Sequence, residues 1–398
     1  MKRIAVIGAG AAGCFCAAEL RRRCPDAILD VYEAGPKPLA KVAVTGGGRC
    51  NLTNSFEGIA SLPEAYPRGA QLMKRLLKSF SQEDTWRWFE AAGVPLVLQD
   101  DHCVFPRSQD AMQIVRTLLH RMEGARLHCH KPLERIVPGY TLTFSDGSTA
   151  SADRVVLTTG GAPKGLSFAK DLALEWVPTV PSLFTFTVRD EALRSLMGLV
   201  VKASLAIPGT AFKASGPLLI TDWGLSGPAT LKLSSYAARY LAEKGYTAPL
   251  SVNWLNLNEE EVRSLLGGIA ALNPRRQVAN TPPEKLPARL WAHLIERSGL
   301  RKDLRWAEIG TKGLNRLVAI LMQDTYPISG KTRFREEFVT CGGVALSNVH
   351  PSTLECKNHP GLYFAGEVLD IDAITGGFNL QAAWTTGYTV AQSIAAAL

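Results

Sequence analysis

The sequence predicts an α/β fold in which a Rossmann-like, parallel-sheet domain is interrupted by an inserted domain. Three observations lead to this prediction. The chain opens with a strand, a glycine turn, a helix and a second strand over residues 1–33. Short, closely spaced strands typical of a barrel or small sheet, together with several helices, then fill residues from about 180 to about 335. An apolar strand and a glycine-rich helix start follow residue 338, so the C-terminal segment completes the first domain.

The opening β-α-β unit carries the residues of a dinucleotide cradle. Residues 4–7 are an apolar run suited to a buried parallel strand. Gly8 permits a tight turn, Gly10 lets the backbone approach a pyrophosphate, and Gly13 lets the next helix pack closely on the sheet. Glu33 ends the second strand about 20 residues later, where its carboxylate can accept a ribose hydroxyl. The N-terminus of the helix offers free N–H groups and a positive dipole end to the phosphates.

A long glycine-rich loop is predicted over residues 34–55. Its run GGGRCNLTN, residues 46–54, is dense in backbone and side-chain donors. Such a loop can pass close to a phosphate or a ring, and Arg49 can neutralise pyrophosphate charge. Cys50 is the one catalytic candidate, because a neighbouring cation favours the thiolate. The preferred alternative is that Cys50 is a small packed residue in a tight loop.

Hydrophobic periodicity and turn residues predict the elements between this loop and the insert. They are helices over residues 72–92 and 111–122, a β-meander over 126–150, and a buried strand over 154–159 that ends in Gly160 and Gly161. His128 and His130 lie on one face of a predicted strand, which is spacing that a metal could use. No second ligand cluster follows them, so we interpret them as a surface face and predict no metal site.

The insert combines β-strands and helices. The predicted strands are 184–188, 200–207, 218–221 and 250–254, and the predicted helices are 228–241, 258–272, 283–298 and 311–323. Asn258 and the glutamate three residues later form the pattern of a capped helix start.

The C-terminal segment changes the expected cofactor from NAD to FAD. Residues 360–365 form an apolar strand that ends in Gly366 and Glu367, and Gly377 opens the last helix. A plain nicotinamide dehydrogenase needs no second cradle so far along the chain, whereas FAD stretched across the sheet does. We expect Gly366 and Glu367 to meet the pyrophosphate–ribityl region. The amides of residues 377–380 would face the polar edge of the flavin ring, where an N–H stabilises negative charge.

These segments resemble the bacterial NAD(P)/FAD-dependent oxidoreductases of the BaiN-like or aminoacetone-oxidase-like type. The resemblance rests on GGGRCNLTN at residues 46–54 and AGEVLDIDAITGGFNLQ at residues 365–381, with further matches at 216–228 and 340–346. It implies a two-dinucleotide-binding-type FAD domain interrupted by a β-barrel-like substrate or cap domain with a helical subdomain. The expected bounds are 1–180 and 336–398 for the FAD domain, 181–335 for the insert and about 256–323 for the helical subdomain.

The candidate site is a set of FAD-binding residues. The resemblance implies cofactor contacts at Gly8, Gly10, Gly13, Glu33, Lys41, Gly48, Arg49, Cys50, Asn51, Gly366, Glu367, Gly377, Phe378, Asn379 and Leu380. To these we add Ala12, Thr159, Gly160 and Asp370. No catalytic acid or base is assigned.

Composition narrows the class of protein. The chain is 46% hydrophobic and 20% charged, which is ordinary for a soluble globular protein. No apolar run approaches the ~18 residues of a membrane span, and the apolar N-terminus belongs to the cradle rather than to a signal peptide. The eight cysteines include no CxxC pair, so we interpret them as the reduced thiols of a cytoplasmic protein.

The leading functional hypothesis is a cytoplasmic FAD oxidoreductase that moves a hydride between flavin N5 and a small or medium organic substrate. The chain lacks a second GxGxxG with a following acid, so NAD(P)H would dock only transiently as the reductant. Two alternatives stay open. One is a non-catalytic, FAD-binding redox sensor.

The other alternative is an RNA-acting flavoprotein of the tRNA-modifying type. The formal charge of +8 and the pI of about 9.1 motivate it. Against it, the cations are spread along the sequence. Their densest run, Arg21–Arg23, ends the first helix, where cations complement the helix dipole. The sequence does not determine the substrate, the flavin face or the oligomeric state.

Overall fold

A computed structural model describes residues 1–137, 139–161, 168–332 and 339–398. The strands are β1 (Arg3–Ile7), β2 (Ile28–Tyr32), β3 (Thr53–Asn54), β4 (Leu96–Leu98), β5 (Cys103–Pro106), β6 (Arg126–His128), β7 (Leu133–Val137), β8 (Thr141–Phe144), β9 (Thr149–Ser151), β10 (Arg154–Leu157), β11 (Trp176–Ser182), β12 (Phe186–Val188), β13 (Val200–Ala206), β14 (Lys213–Thr221), β15 (Gly224–Ser226), β16 (Ala248–Asn253), β17 (Asp324–Lys331), β18 (Val339–Val344) and β19 (Leu362–Phe364). The helices are α1 (Ala11–Arg23), α2 (Ala40–Gly48), α3 (Leu62–Ala65), α4 (Ala70–Leu76), α5 (Gln82–Ala91), α6 (Ala111–Arg121), α7 (Phe168–Asp171), α8 (Glu191–Arg194), α9 (Pro228–Tyr236), α10 (Ala238–Glu243), α11 (Glu259–Leu272), α12 (Ala288–Arg297), α13 (Gly310–Gln323) and α14 (Phe378–Ala396).

The chain divides into two compact units. The first combines Met1–Val180 with Val339–Leu398, and the second is Pro181–Phe338. One excursion of the chain therefore interrupts the first unit. The boundary that the sequence places between residues 335 and 336 lies outside the described residues.

A five-stranded parallel sheet is the centre of the first unit. Its strand order is β19-β10-β1-β2-β6, and neighbouring strands are parallel. The order reverses at β1, which lies between β2 and the later strand β10. In such sheets ligands bind outside the carboxyl ends of the strands at the point of reversal. The glycine turn after β1 occupies that point.

Helices α1 and α14 pack closely because small residues line their contact. A Cβ atom at Gly387 would lie 2.8 Å from the carbonyl oxygen of Ala12. Phe15 and Trp384 fill the adjacent core with ring centroids 5.4 Å apart. The indole N–H of Trp384 donates to the carbonyl of Leu52 at 2.9 Å. This hydrogen bond ties the last helix to the glycine-rich segment of residues 46–54.

The second unit contains a closed barrel with the strand order β12-β15-β14-β13-β16-β17. Together with the parallel sheet, it confirms the predicted fold class. Helix α11 begins as predicted, because the Asn258 side chain accepts from the Glu261 N–H at 2.9 Å and the Glu261 carboxylate accepts from the Asn258 N–H at 2.8 Å. Such a reciprocal pair satisfies two N–H groups that the helix itself leaves free.

Four predicted elements differ from the structure. The predicted β-meander over residues 126–150 is divided, because β6 pairs parallel with β2 in the central sheet and only β7, β8 and β9 pair antiparallel with one another. The predicted helix over residues 72–92 is two helices, α4 and α5, because Ser81 starts a new helix in a capping box with Asp84. The predicted helix over residues 228–241 is divided into α9 and α10. The predicted loop over residues 34–55 contains α2, which is kinked where Thr45 and two glycines leave helical geometry.

None of the helices in the described ranges combines the length and the hydropathy that crossing a membrane requires.

Candidate functional site

The glycine turn between β1 and α1 combines two tightly packed glycines with one open glycine. Gly8 has a φ of +106°, and a Cβ there would lie 2.4 Å from the carbonyl oxygen of Thr158. A Cβ at Gly13 would lie 1.9 Å from the Gly8 carbonyl oxygen. At Gly10, by contrast, no atom lies within 4 Å of the Cβ position. The chain therefore requires glycine at two positions for packing and leaves the third open to a ligand.

Glu33 lies beside this turn at the end of β2. Its two carboxylate oxygens accept the N–H groups of Ala9 and Gly35, each at 2.8 Å. Each oxygen keeps a further lone pair, so the oriented carboxylate can still accept a hydroxyl. This is the position that the sequence assigns to the ribose.

Four described helices begin after a glycine that offers no capping side chain, and two of them border the candidate site. These two are α1, after Gly10, and α14, after Gly377. Gly377 has a φ of +90°, and a Cβ there would lie 2.3 Å from the carbonyl oxygen of Thr53. The first N–H groups of such helices carry partial positive charge and have no intrahelical acceptor. Residues 378–380 supply those groups in α14.

The glycine run at residues 46–54 lies next to the start of α14. The Cβ position of Gly377 is 2.8 Å from Asn51 Oδ1, and that buried oxygen has no hydrogen-bond partner among the described residues. Gly48 has a φ of +82° and open space at its Cβ position. The Arg49 guanidinium lies 4.6 Å from the centroid of the Phe105 ring. Residues 46–54 therefore combine a buried oxygen without a hydrogen-bond partner in the described residues, a glycine with open space at its Cβ position, and an arginine that lies over an aromatic ring.

Cys50 lies inside this segment but is poorly suited to act as a thiolate. Its side chain is fully buried, and burial raises the pKa of the thiol to about 12. Arg49, which the sequence offers as an activating cation, is held over Phe105 instead. The geometry favours a packing role for Cys50.

Glu367 joins three segments of the candidate site. Its Oε1 accepts the N–H of Thr340 at 2.6 Å, and its Oε2 lies 3.5 Å from Lys41 Nζ. The Cβ position of Gly160 is 3.7 Å from the same Oε2. Lys41, Gly160 and Glu367, which come from distant parts of the chain, therefore lie together. Because Thr340 belongs to β18, its hydrogen bond to Glu367 also gives this carboxylate a structural role.

Gly366 and Thr159 lie where β19 and β10 end. The Gly366 N–H donates to Thr386 Oγ1 at 2.9 Å, and the Cβ position of Gly366 is 2.7 Å from the Ala12 Cβ. The first and last segments of the cradle are thus in contact. Thr159 Oγ1, after the end of β10, is a second buried oxygen without a hydrogen-bond partner in the described residues.

The two aspartates after β19 are placed differently. The Asp370 N–H donates to the carbonyl of Val344 at 3.0 Å. Asp372 is fully buried and accepts two hydrogen bonds from the guanidinium of Arg68, one of them from Nε at 2.5 Å. Asp372 is therefore half of a buried ion pair, and Arg68 is a residue that the sequence analysis missed.

Side-chain bonds hold the start of α14 in place. Asn379, a predicted cofactor residue, uses its amide to bind both backbone groups of Ala373, at 2.9 and 3.0 Å. The Tyr66 hydroxyl donates to the carbonyl of Phe378 at 2.9 Å. Gln381 accepts from two threonine hydroxyls inside the core. The available signal for this network was the row of polar residues in a helix that carries no charged residue, and the sequence analysis did not use it.

Comparison with known proteins identifies the family. A model of the HI0933-like protein Rossmann domain family matches residues 2–393. The chain belongs to this family. It is 30% identical to the "Ribosomal RNA dihydrouridine synthase" of Escherichia coli K12, with 98% of each chain covered. It is 28% identical to the "3-dehydro-bile acid delta(4,6)-reductase" of Clostridium scindens, with 99% of each covered.

A solved structure shares the fold of this HI0933-like protein. It is the 3-ketosteroid delta1-dehydrogenase of Sterolibacterium denitrificans, with a TM-score of 0.51, 13% sequence identity and complete coverage of both chains. This likeness concerns the fold. The predicted resemblance and the prediction of an FAD-dependent oxidoreductase are confirmed by the family match and the full-length relatives.

The residues of this HI0933-like chain fit an FAD molecule in three respects. The N-termini of α1 and α14 at this site lack capping side chains, the Gly10 position is open, and Asn51 and Thr159 carry buried oxygens without hydrogen-bond partners in the described ranges. Unsatisfied buried oxygens and free helix N–H groups each cost free energy unless a ligand or water satisfies them.

Replacing Cys50 with alanine tests its role directly. We expect flavin reduction and turnover to stay within about threefold of wild type, because the buried thiol is protonated at neutral pH. We also expect the pH–rate profile to keep its shape between about pH 7 and pH 9, where an ordinary thiol titrates. A loss of turnover of about 100-fold in a variant that retains its flavin would instead assign Cys50 to the chemistry.

Proposed function

We propose that this HI0933-like protein reduces the C5–C6 double bond of uridine in ribosomal RNA. The observation that carries the proposal is the 30% identity over 98% of both chains to the E. coli protein of that activity. A second protein with the same name, from Haemophilus influenzae, is 28% identical over 98% of this chain. Both matches extend over nearly the whole chain, so the insert lies within the matched region.

The cradle would hold FAD in an extended form. Gly8, Gly10, Gly13 and Glu33 would hold the adenosine half, and Arg49 would lie toward the pyrophosphate. The remaining proposed contacts are Ala12, Lys41, Gly48, Cys50, Asn51, Thr159, Gly160, Gly366, Glu367, Asp370, Gly377, Phe378, Asn379 and Leu380. The N–H groups of residues 378–380 would stabilise negative charge at the flavin ring. When bound and reduced, FAD supplies a hydride.

The named reactions of the full-length relatives have one chemical feature in common. Dihydrouridine arises when a carbon–carbon double bond conjugated with a carbonyl gains two hydrogens, and a 4,6-diene of a 3-oxo bile acid is also conjugated with a carbonyl. In such a reduction one alkene carbon gains a hydride and its neighbour gains a proton. NAD(P)H would supply the two electrons, and the solvent would supply the proton. We infer conjugate reduction as the reaction type.

Charge favours RNA over a small molecule as the substrate. The formal net charge is +8, and the phosphate backbone attracts cationic surfaces through release of counterions. A small-molecule enone is the second candidate, because the bile-acid reductase covers 99% of this chain at 28% identity. Catalytic turnover would exclude the redox-sensor alternative.

Complementation tests the proposed function. The gene would be expressed in an E. coli strain that lacks its 30%-identical relative, and dihydrouridine in purified ribosomal RNA would be measured by nucleoside mass spectrometry. We expect dihydrouridine to return with the wild-type gene and to stay absent with a Gly10→Val variant. The E. coli gene itself serves as the positive control.

Anaerobic mixing of the purified holoprotein separates the two candidate substrates. We expect NADH or NADPH to bleach the flavin absorbance, and deproteinised ribosomal RNA from the deletion strain to restore it. If a 3-oxo-4,6-diene steroid restores the absorbance and the RNA does not, the small-molecule candidate replaces the RNA proposal. Failure of both nicotinamides to reduce the flavin would contradict their role as reductants.

A further inference from the structure

The excess positive charge of the chain is concentrated in the helical part of the second unit. Residues 273–316 contain ten lysines and arginines against four acidic residues, which is a net charge of +6 out of the +8 of the whole chain. Because the cations come from separate turns of the chain, no run of more than two adjacent basic residues marks them in the sequence.

Backbone hydrogen bonds bring two of these basic segments together. Residues 274–278 run beside residues 304–307: the Trp306 N–H donates to the carbonyl of Arg276 at 3.1 Å, and the Val278 N–H donates to the carbonyl of Leu304 at 2.8 Å. Gln277 and Arg305 form a bridge between the two segments. The cations at the start of one segment therefore lie beside Arg305.

Helix α13 adds a third basic segment. Arg316 Nη1 donates to the carbonyl of Gly299 at 3.4 Å, so α13 lies against the loop that carries Arg301 and Lys302. We call the combined set the basic surface. It consists of the exposed residues Arg275, Arg276, Arg301, Lys302, Arg305 and Arg316.

The basic surface is weakly neutralised by the chain itself. Arg301 and Lys302 have acidic neighbours only at 3.7 and 3.9 Å among the described residues, and both pairs are largely exposed. Such pairs contribute little free energy. The run Arg21–Arg23 differs, because Arg22 and Arg23 lie 2.8 and 3.0 Å from the buried Glu19 carboxylate. Cations without close acidic partners are available to an external anion.

We propose that the basic surface binds the phosphate backbone of the RNA substrate. This inference rests on the proposed function and names the part of the chain that would hold the RNA. Five of the six cations are arginines, whose planar guanidinium groups can bind phosphate through two parallel hydrogen bonds. The paired segments hold Arg275, Arg276 and Arg305 on a defined backbone, and helix α13 does so for Arg316.

Charge neutralisation at the basic surface tests the inference. The test variant combines Arg275→Gln, Arg276→Gln, Arg301→Gln and Lys302→Gln. The matched control combines Lys74→Gln, Lys78→Gln, Lys202→Gln and Lys213→Gln, which are also exposed and remove the same net charge. Binding of a fluorescein-labelled ribosomal RNA fragment to each holoprotein would be measured by anisotropy across a series of KCl concentrations.

We expect the test variant to bind the RNA fragment at least about tenfold more weakly than wild type. The slope of log affinity against log salt should fall by about 3, since each phosphate contact contributes about 0.7 to 0.9. The control should stay within about threefold of wild type. Reduction of the flavin by the nicotinamide should be unchanged in both variants, because neither alters a proposed cofactor residue.

The outcomes separate this inference from the proposed function. If the test variant binds RNA as tightly as the control does, the inference is overturned, whether or not wild type makes dihydrouridine. If binding depends on the basic surface but no dihydrouridine forms, the inference holds and the proposed reaction fails. Binding of wild type to phosphatidylserine-containing vesicles but not to RNA would also overturn the inference.

Discussion

Replacing Gly10 with valine should lower the affinity for FAD at least about tenfold and leave the fold intact. A tenfold loss corresponds to about 1.4 kcal/mol. The Cβ position of Gly10 has no neighbour within 4 Å, and its φ of −83° is accessible to any residue. The new side chain would therefore occupy only the space that the pyrophosphate is expected to approach. Isothermal titration of the flavin-free protein with FAD measures the affinity, and the thermal midpoint of the same sample measures the fold.

Gly13→Ala is the matched control for this prediction. It adds a single methyl group in the same turn, but that group would lie 1.9 Å from the Gly8 carbonyl oxygen and 2.6 Å from Thr158 Oγ1. We therefore expect the flavin-free protein itself to be destabilised, since the helix must shift away from the sheet. If Gly10→Val binds FAD as tightly as wild type, the pyrophosphate does not lie at this turn.

The glycine turn between β1 and α1 was predictable from the sequence because local backbone geometry requires its glycines. A positive φ at Gly8 and the close approach of helix to strand at Gly13 depend on residues only a few positions apart. The capping box at Asn258 is local for the same reason. Helix breaks were less predictable: the apolar periodicity continues across Ser81, although the capping box there starts a new helix.

The partners of the site's side chains depend on contacts between distant segments. Glu367 and Lys41 are 326 positions apart, and no local pattern shows that Thr340 donates to the same carboxylate. The burial of Cys50 likewise depends on packing that the sequence does not display. The basic surface was missed for a related reason. Its cations come from three segments that are separate in the sequence and lie together only in the folded chain.

The second large expected effect concerns the buried pair of Arg68 and Asp372. Replacing Asp372 with asparagine should destabilise the flavin-free protein by about 3 to 5 kcal/mol, because the buried arginine would lose the carboxylate that accepts two of its hydrogen bonds. The Asp372 side chain is fully buried, and that of Arg68 is 15% exposed. In a unit of this size the loss corresponds to a fall of roughly 10 °C in the thermal midpoint. Differential scanning calorimetry of wild type and variant measures the change.

An exposed ion pair in the same unit provides the control. Arg116 lies 3.0 Å from Asp110, but its side chain is 65% exposed, so Arg116→Met should change stability by less than about 1 kcal/mol. An unchanged thermal midpoint for Asp372→Asn would mean that the Arg68 charge does not depend on Asp372 for its compensation.

Removing both charges separates a structural role from a role in cofactor binding. In the double variant Arg68→Met, Asp372→Leu both members of the pair are replaced by apolar side chains, so stability should recover by more than half of the loss caused by Asp372→Asn. If the pair only supports the backbone before α14, FAD affinity should follow stability in both Asp372→Asn and the double variant. If Arg68 instead touches the flavin, the double variant will be stable yet bind FAD weakly, with a shifted flavin absorbance. The pair spans 304 positions of sequence and orders the segment that leads to Gly377, so we expect the first outcome.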